Sequence, residues 1–238
     1  MIRGLFTSAT SMTARRTEQE IVTNNLANMN TAGYKRDRIA FHNVLDASNM
    51  VNDDQNFQGI EYIETDYSAG QFKQTDNTLD FALEGEGFFV VQNGNEQFYT
   101  RNGNFMLGND GELLSSNGFR VMGADGPIVL RENDFVVNKD GTFLSENTIV
   151  GKLLVVAFDE PRNLDKAGYN LFSKPAALPE PQIVDTAIKQ GALEESNVNP
   201  LEEMVNLIMI SRDYNENQKS IQTQDSTLQK AVNDLGRI

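Results

Sequence analysis

The sequence contains no cysteine and only one histidine, and its acidic residues clearly outnumber its basic ones. Without cysteine there is no disulfide framework, no thiolate nucleophile and no cysteine-bound metal. The chain has 20 lysines and arginines against 34 aspartates and glutamates, which gives a net charge of −14. Nucleic acids and anionic membrane surfaces both attract basic patches. We therefore expect no nucleic-acid partner.

Long apolar runs are also missing. No stretch approaches the ~18–20 apolar residues of a membrane span, so we expect no membrane insertion. The first twelve residues lack the continuous apolar core of a secretory signal peptide, and no small-residue cleavage site follows them. We expect a chain that either stays inside the cell or leaves it by a route that removes nothing.

Both ends of the chain are predicted to be helical. Over residues 1–30, apolar side chains recur at steps of three and four, and Gly33 is placed to end the helix in a left-handed conformation. A second helix is predicted from Asn199 and Pro200 onward, because they form an N-cap followed by proline at the first helical position. No glycine or proline interrupts residues 201–235.

The centre is predicted to be β-rich. Short β-prone runs such as Phe88–Val91 alternate with Asn-Gly or Asp-Gly pairs, which favour the type I′ turns of antiparallel hairpins. These pairs are Asn93-Gly94, Asn102-Gly103, Asp110-Gly111, Asn117-Gly118, Asp125-Gly126 and Asp140-Gly141. We therefore predict an α+β fold with paired, coiled-coil-like terminal helices and a central all-β domain that is rich in hairpins.

This pattern divides the chain into four segments. We expect an N-terminal assembly helix over 1–33, a connecting segment over 34–69, the central β domain over 70–190, and the C-terminal assembly helix with its lead-in over 191–238. The apolar seams of both helices are interrupted by polar residues, which makes them poor partners for a stable two-stranded coiled coil. Bundling with many copies would bury every face, whereas a simple helical hairpin within one chain is the alternative that the pattern leaves open.

Several motifs resemble those of the flagellar basal-body rod and hook–basal body protein family. The run NNLANMNTAGYKR at 24–36 resembles the signature that closes the N-terminal helix of these proteins, and LEGEGFFVV at 83–91 resembles their central motif. Further matching blocks lie at 99–105, 190–199, 202–208 and 212–219. Within the family, residues 34–38 and 41–45 are most similar to distal-rod proteins, and a rod-like protein of Gram-positive bacteria is the alternative that the resemblance leaves open.

The resemblance implies a structural subunit of the flagellar basal-body rod. In this family the terminal helices pack around a central channel and the β domain lies outside, so the implied partners are copies of the chain and neighbouring rod and hook proteins. It also implies export through the flagellar type III apparatus without cleavage, and a final location in the basal body. A proximal-rod or hook-like axial protein is one alternative, and a self-contained secreted β-rich adhesion or capping module is another.

The resemblance and the apolar pattern together define the expected site residues. The assembly interface is expected to contain Leu5, Ala9, Met12, Val22, Asn25, Leu26, Asn28, Met204, Val205, Ile208, Ile221, Leu228, Val232 and Leu235. We expect Asn30 and Gly33 in the turn that leaves the N-terminal helix. The central-domain motif contributes Gly85, Gly87, Phe88 and Phe89.

The sequence offers no catalytic constellation. A histidine-based triad would depend on His42 alone. The motif Gly85-Glu86-Gly87 begins like a dinucleotide fingerprint, but Val90 stands where the third glycine belongs and the surroundings are hairpins. The run Asn138-Lys139-Asp140-Gly141 lacks the ligand spacing of a calcium loop. We therefore expect no enzymatic activity, no catalytic residues, no cofactor and no metal.

Overall fold

The computed structural model describes residues 2–40, 62–130, 135–145 and 148–235. These residues form two compact units, and neither unit is a continuous stretch of chain. The described residues of unit 1 are 2–27, 37–40, 62–65 and 199–235, and those of unit 2 are 28–36, 66–130, 135–145 and 148–198.

Unit 1 contains both long helices and a small sheet. Helix α1 spans Ile2–Ala27 and helix α2 spans Pro200–Leu235. Strands β1 (Asp37–Ala40) and β2 (Tyr62–Thr65) pair in antiparallel register. With 36 residues, α2 is about 54 Å long at 1.5 Å per residue. Terminal helices around a β-rich centre confirm the predicted α+β class.

Helix α2 begins where the sequence predicted. The side-chain oxygen Asn199 Oδ1 accepts a hydrogen bond from the backbone N of Leu201 at 3.2 Å, which satisfies one of the free N–H groups of the first turn. Glu202 and Glu203 lie in that turn, where the helix dipole favours negative charge. Helix α1 ends at Ala27, three residues earlier than the predicted residue 30.

Unit 2 consists of short strands and one short 3-10 helix, Pro161–Asn163. The strands are β3 (Phe72–Gln74), β4 (Phe81–Glu84), β5 (Phe88–Asn93), β6 (Glu96–Thr100), β7 (Phe105–Leu107), β8 (Leu113–Ser115), β9 (Arg120–Gly123), β10 (Gly126–Pro127), β11 (Val136–Val137), β12 (Thr142–Ser145), β13 (Thr148–Lys152), β14 (Val155–Ala157), β15 (Asp165–Gly168), β16 (Leu171–Ser173), β17 (Gln182–Ile183), β18 (Ala187–Gln190) and β19 (Ala192–Glu194).

The largest sheet of unit 2 has ten strands. Its main path runs β15-β16-β6-β5-β9-β8-β7, with β10 on β9, and β14 joining β5 to β17. Smaller sheets are formed by β11-β12-β13, β4-β18 and β3-β19. Late strands such as β18 and β19 pair with early ones, so the segment leading to α2 is part of the β unit.

Most of the predicted hairpins are confirmed in position but not in turn type. Five of the six Asn-Gly or Asp-Gly pairs lie where paired strands are connected, and their glycines have positive φ values. The Asn or Asp before each of these glycines does not have a positive φ, so the turns are not of the predicted type I′, which needs positive φ at both central residues. These glycines are Gly94, Gly111, Gly118, Gly126 and Gly141. The alternation of strand and turn was therefore readable from the sequence.

The prediction of a hairpin turn at Asn102-Gly103 is wrong. Strands β6 and β7, on either side of it, do not pair with each other. Instead, the carbonyl oxygen of Gly103 accepts a hydrogen bond from the backbone N of Phe81 at 3.0 Å. A Cβ on Gly103 would lie 1.8 Å from the Phe81 carbonyl oxygen. Glycine is needed here for close backbone approach and not for a positive φ.

Strand β5 is apolar on both sides because both of its faces are covered. Phe89 and Val91 belong to one core cluster, and Phe88 and Val90 belong to another. Successive side chains of a strand point to opposite faces, so the unbroken apolar run places β5 between two packed layers. The core of unit 2 is built around this strand.

Candidate functional site

The two helices of unit 1 run antiparallel and meet through polar side chains. Arg15 Nη2 lies 2.9 Å from Asp213 Oδ2. Four residues further along each helix, in opposite directions, Asn217 Nδ2 donates a hydrogen bond to Ser11 Oγ at 3.2 Å. A step of four residues back along α1 is thus matched by a step of four residues forward along α2, as expected for two antiparallel helices in one fixed register.

The same register continues toward both ends of α1. A Cβ on Gly4 would lie 3.1 Å from the side-chain amide of Gln224. At the other end, Asn25 Nδ2 lies 3.5 Å from Glu203 Oε1. The contact between the helices is therefore aligned from residue 4 to residue 25 of α1, and polar groups set that alignment.

Asn25 also ties α1 to strand β1. Its amide Nδ2 donates to the backbone oxygen of Asp37 at 2.8 Å, and its Oδ1 accepts from the backbone N of Asp37 at 3.0 Å. The Asn25 side chain is buried. The Asn25 amide thus takes the place of a neighbouring strand for the backbone N–H and C=O of Asp37, which are partly buried and need hydrogen-bond partners.

Helix α2 carries an exposed apolar stripe, formed by Leu201, Met204, Val205, Ile208 and Met209. Their exposed fractions are 73%, 46%, 44%, 54% and 58%. Steps of three and four residues place them on one side of α2. Glu203 and Ile210, in contrast, are buried on the other side. The helix therefore buries a face that contains both polar and apolar residues and leaves the apolar stripe exposed.

A second arrangement, in unit 2, is a buried ion cluster of Lys35, Arg101 and Glu194. Lys35 Nζ lies 2.6 Å from Glu194 Oε1, and Arg101 Nη1 lies 3.5 Å from Glu194 Oε2. The exposed fractions of the three side chains are 0%, 6% and 1%. Two cations thus share one carboxylate inside the protein.

Backbone groups add further hydrogen bonds to the cluster. Lys35 Nζ donates to Ser68 O at 2.7 Å, Arg101 Nη1 donates to Gly85 O at 2.7 Å, and Glu194 Oε1 accepts from Gly70 N at 3.0 Å. Burial lowers the pKa of Lys35 below its ordinary 10.5, while the charge of Glu194 opposes that shift. Burial likewise lowers the pKa of Arg101. Glu194 is the nearest counter-ion of both cations.

Comparison with models of known protein families shows which family the chain resembles. Residues 5–35 match the family model described as flagella basal body rod protein. Residues 82–145 match the flagellar hook protein FlgE/F/G D1 domain, and residues 189–235 match the flagellar basal body rod FlgEFG protein C-terminal region. The three matches follow the order of the chain.

Full-length relatives agree with the family models. The flagellar basal-body rod protein FlgG of Bacillus subtilis is 30% identical, over 98% of this chain and 99% of the relative. FlgG of Buchnera aphidicola from Baizongia pistaciae is 33% identical over 97% and 98%. FlgF of Rhizobium meliloti is 31% identical over 99% of both chains.

The chain belongs to the flagellar basal-body rod protein family. It is a structural component of the rod, and its place is the flagellar basal body. Identity does not separate the FlgG and FlgF kinds of relative, since the values given above for both lie between 30% and 33%.

The assembly residues expected for this rod protein lie in different environments within the chain. In α1, Val22 and Asn25 are buried, Met12 and Leu26 are half-buried and Ala9 is exposed. In α2, Met204, Val205, Ile208 and Val232 are exposed, and Ile221 and Leu228 are half-buried. Leu5 and Leu235 lie in the two helices, and Asn28 is half-buried just after α1. Assembly through these residues stays a prediction.

The helix-exit residues have distinct surroundings. Asn30 is exposed. Gly33 is buried with a φ of +67°, and a Cβ there would lie 2.4 Å from the backbone N of Asn102. The backbone N of Gly33 donates to Glu194 O at 2.8 Å. Gly33 therefore combines a left-handed conformation with a close backbone approach, and both favour glycine.

The central-motif residues have packing roles in the rod protein. Phe88 and Phe89 are buried on opposite faces of β5. Gly85 and Gly87 have φ values of +147° and +131° in the connection between β4 and β5. A Cβ on Gly87 would lie 2.7 Å from Val155 Cγ1. The two glycines thus allow the backbone conformation that connects β4 to β5, the central strand of the largest sheet.

Sequence reasoning missed the ion cluster and the polar contact between the helices. Lys35, Arg101 and Glu194 each lie inside a recognised motif, so a signal was present: a charged residue beside buried apolar neighbours. Nothing in a single sequence, however, states which of the many charged residues meet. Arg15 and Asp213 were likewise indistinguishable from ordinary solvated charges.

The described residues contain neither a metal cluster nor a membrane-spanning helix. In residues 2–40, 62–130, 135–145 and 148–235, no three or more Asp, Glu or His side chains are grouped so that they would hold a metal ion. No helix in the same ranges is long and apolar enough to cross a membrane. His42, the only histidine, lies outside the described residues.

Proposed function

We propose that this rod-family chain polymerises helically with copies of itself and with neighbouring rod and hook proteins through its terminal helices. In the assembled tube, the helices pack in a coiled-coil-like manner around a hollow channel. The product is part of the drive shaft that transmits rotation. The proposal keeps the four predicted segments, 1–33, 34–69, 70–190 and 191–238.

The observation that carries this proposal is the exposed apolar stripe of α2. Scattered apolar residues are normal on protein surfaces, but five neighbouring large side chains on one helix side form a contiguous patch. Such a patch is costly to hydrate, since each large apolar side chain gains about 1.5–3 kcal/mol on full burial. Burial against other subunits supplies that gain.

The polar contact between α1 and α2 supports the same proposal. The pairs Arg15–Asp213 and Ser11–Asn217 join the two helices on a side of α2 that does not carry the stripe, and the stripe residues stay exposed within the chain. A contact between one patch and a different patch on the next copy does not close on itself, and repeating it generates a filament. The polar pairs then fix the register in which each copy presents its stripe.

Three further elements of the proposal come from family membership. The chain is exported through the flagellar type III apparatus without cleavage of its N-terminal end. It acts as a mechanical subunit and performs no catalysis. It has no cofactor.

Substituting a stripe residue tests the assembly role. Val205→Asp places a charge at a position that is 44% exposed in the chain and buried in the proposed tube. The matched control is Val129→Asp, the same change at a 41% exposed position in unit 2. The gene for each variant replaces the wild-type gene in the cell. Swimming and the recovery of intact basal bodies are then measured. Circular dichroism of each purified variant checks that the chain is folded.

Val205→Asp is expected to abolish swimming and complete rods while the purified chain stays folded. Val129→Asp is expected to affect swimming and rod assembly much less. Wild-type swimming with Val205→Asp would refute the assembly role of the stripe. The alternative of a self-contained secreted module predicts that neither substitution affects rods.

A further inference from the structure

The buried ion cluster joins three stretches of unit 2 that are far apart in sequence. Glu194 contacts Lys35 through Oε1, and the same oxygen accepts a hydrogen bond from Gly70 N. Its backbone oxygen accepts from Gly33 N at 2.8 Å. One residue therefore holds segment 28–36 and segment 66–70 while itself belonging to the stretch 194–197.

Neighbouring bonds extend the connection along the same segments. Arg36 N donates to Asn197 Oδ1 at 2.8 Å, and Asn197 Nδ2 donates to Asp66 O at 2.8 Å. Arg36 Nε also lies 3.2 Å from Asp66 Oδ2. Segments 28–36, 66–70 and 194–197 thus form one hydrogen-bonded group, which we call the tie region.

The charge balance of the cluster makes Glu194 its decisive member. Lys35 and Arg101 are cations, and Glu194 is the acidic residue in contact with both. Asp66 and Glu86 act on the two cations from further away, Asp66 on Lys35 and Glu86 on Arg101. A buried charge that loses its counter-ion is strongly destabilising, whereas the pair itself contributes little net stability. Neutralising Glu194 leaves two buried cations facing each other.

We propose that the buried ion cluster is a conformational lock of the tie region. The negative charge of Glu194 holds segments 28–36, 66–70 and 194–197 together as one cooperative unit. Loss of that charge releases all three segments at once while the strands β5 and β6 stay formed, because the apolar core holds those strands independently of the cluster. The lock does not depend on assembly of the chain into a rod.

Hydrogen exchange of the full-length chain at neutral pH tests the lock. Glu194→Gln keeps the shape of the side chain and an oxygen that accepts from Lys35 and Gly70, but it removes the charge. The matched control is Glu195→Gln, the same change at the neighbouring exposed position. In Glu194→Gln we expect exchange about tenfold faster or more in all three segments together. In the same variant, strands β5 and β6 are expected to exchange at the wild-type rate. In the control Glu195→Gln, the three segments are also expected to exchange at the wild-type rate.

A second variant separates the charge from the hydrogen bonds. Lys35→Met loses the hydrogen bonds to Ser68 and Glu194, yet it leaves one cation facing one carboxylate. The lock therefore predicts that Lys35→Met releases the tie region less than Glu194→Gln does. A purely hydrogen-bonded role predicts the reverse order, because the amide oxygen introduced by Glu194→Gln is still an acceptor. That reverse order would overturn the proposal.

The remaining outcomes are also decisive. Release of only one of the three segments in Glu194→Gln would show that they are not one unit, and the lock would be wrong. Wild-type exchange in that variant would show that the charge is dispensable. If Glu194→Gln yields only unfolded chain, Arg101→Met added to it must restore folding, since it removes one of the two uncompensated cations. Failure of that rescue would contradict the lock.

Discussion

Asn25 and Asp37 are joined by two hydrogen bonds, one in each direction, between a buried side-chain amide and the strand backbone. Sequence placed Asn25 at a helix end within an asparagine-rich run. Its position in the fold shows that the amide does more than end the helix, because it supplies hydrogen-bond partners for the first residue of β1. The same amide lies 3.5 Å from Glu203 of α2.

Asn25→Ala is expected to destabilise the chain by about 2–4 kcal/mol, because two backbone groups of Asp37 lose their partners. The measurement is the free energy of unfolding from urea denaturation followed by circular dichroism at helical wavelengths. The control is Thr23→Ala at an exposed position of the same helix, with an expected change within about 0.5 kcal/mol. Equal stability of the two variants would contradict the role assigned to Asn25.

Gly33→Ala and Gly118→Ala compare two left-handed glycines with different surroundings. Their φ values are +67° and +80°. At Gly33 the added Cβ meets backbone at 2.4 Å, whereas at Gly118 it meets nothing within 4 Å. We expect a cost of about 1–2 kcal/mol at Gly118, from the conformation alone, and a clearly larger cost at Gly33. Chemical denaturation of both variants measures the loss of stability in each. Similar losses would show that the short distance between position 33 and the backbone does not restrict the side chain there.

The start of α2 provides a cap prediction. Asn199→Ala removes the acceptor for Leu201 N and is expected to cost about 1 kcal/mol of stability. Asn199→Asp retains an acceptor and is expected to stay within about 0.5 kcal/mol of wild type. Thermal unfolding of the wild type and both variants measures these changes in stability. Wild-type stability of Asn199→Ala would show that the Asn199 side chain does not stabilise the start of α2.

Acid stability depends in part on Asp66. Its burial opposes ionisation, but hydrogen bonds from Ser68 and the contact with Arg36 outweigh this and hold the pKa of Asp66 below its ordinary 3.8. The folded state therefore binds the proton more weakly than the unfolded state does. Its stabilising contribution is fully present above pH 3.8 and is lost as the pH falls through the lowered pKa.

Asp66→Asn is accordingly expected to flatten the loss of stability below about pH 4, because it removes a group that takes up a proton on unfolding. Urea denaturation between about pH 3 and pH 6 measures the slope, with Asp110→Asn at an exposed turn as the matched control. An unchanged acid slope in Asp66→Asn would contradict the assignment.

The parts of the fold that depend on local chemistry were predictable from the sequence. Glycine at positive φ and an asparagine cap act within a few residues, so the Asn-Gly turns and the start of α2 followed from short-range patterns. Asn102-Gly103 carries the same signal but serves a backbone contact with Phe81, which lies on another strand, β4. A local rule cannot distinguish these two uses of glycine.

The site could be predicted only in part. Three of the five stripe residues, Met204, Val205 and Ile208, were among the expected assembly residues, but the sequence pattern does not show whether Val205 and Ile208 face α1 or the outside. The structure leaves them exposed, because the polar partners Arg15 and Asp213 define the inner contact. Which charges meet depends on long-range topology.

Burial of the apolar stripe of α2 on entry into the rod is the central claim about this protein. Since the sequence has no cysteine, single cysteines report on their own positions. The most direct measurement is the rate of maleimide labelling of Ile208→Cys in the free chain and in purified basal bodies, with Asn95→Cys at an exposed turn of unit 2 as the control.

We expect the thiol at position 208 to react readily in the free chain and at least about tenfold more slowly in basal bodies, as expected for a side chain sealed inside an interface. The Asn95→Cys control keeps a similar rate in both. Equal labelling of position 208 in the free chain and in basal bodies would contradict burial of the stripe.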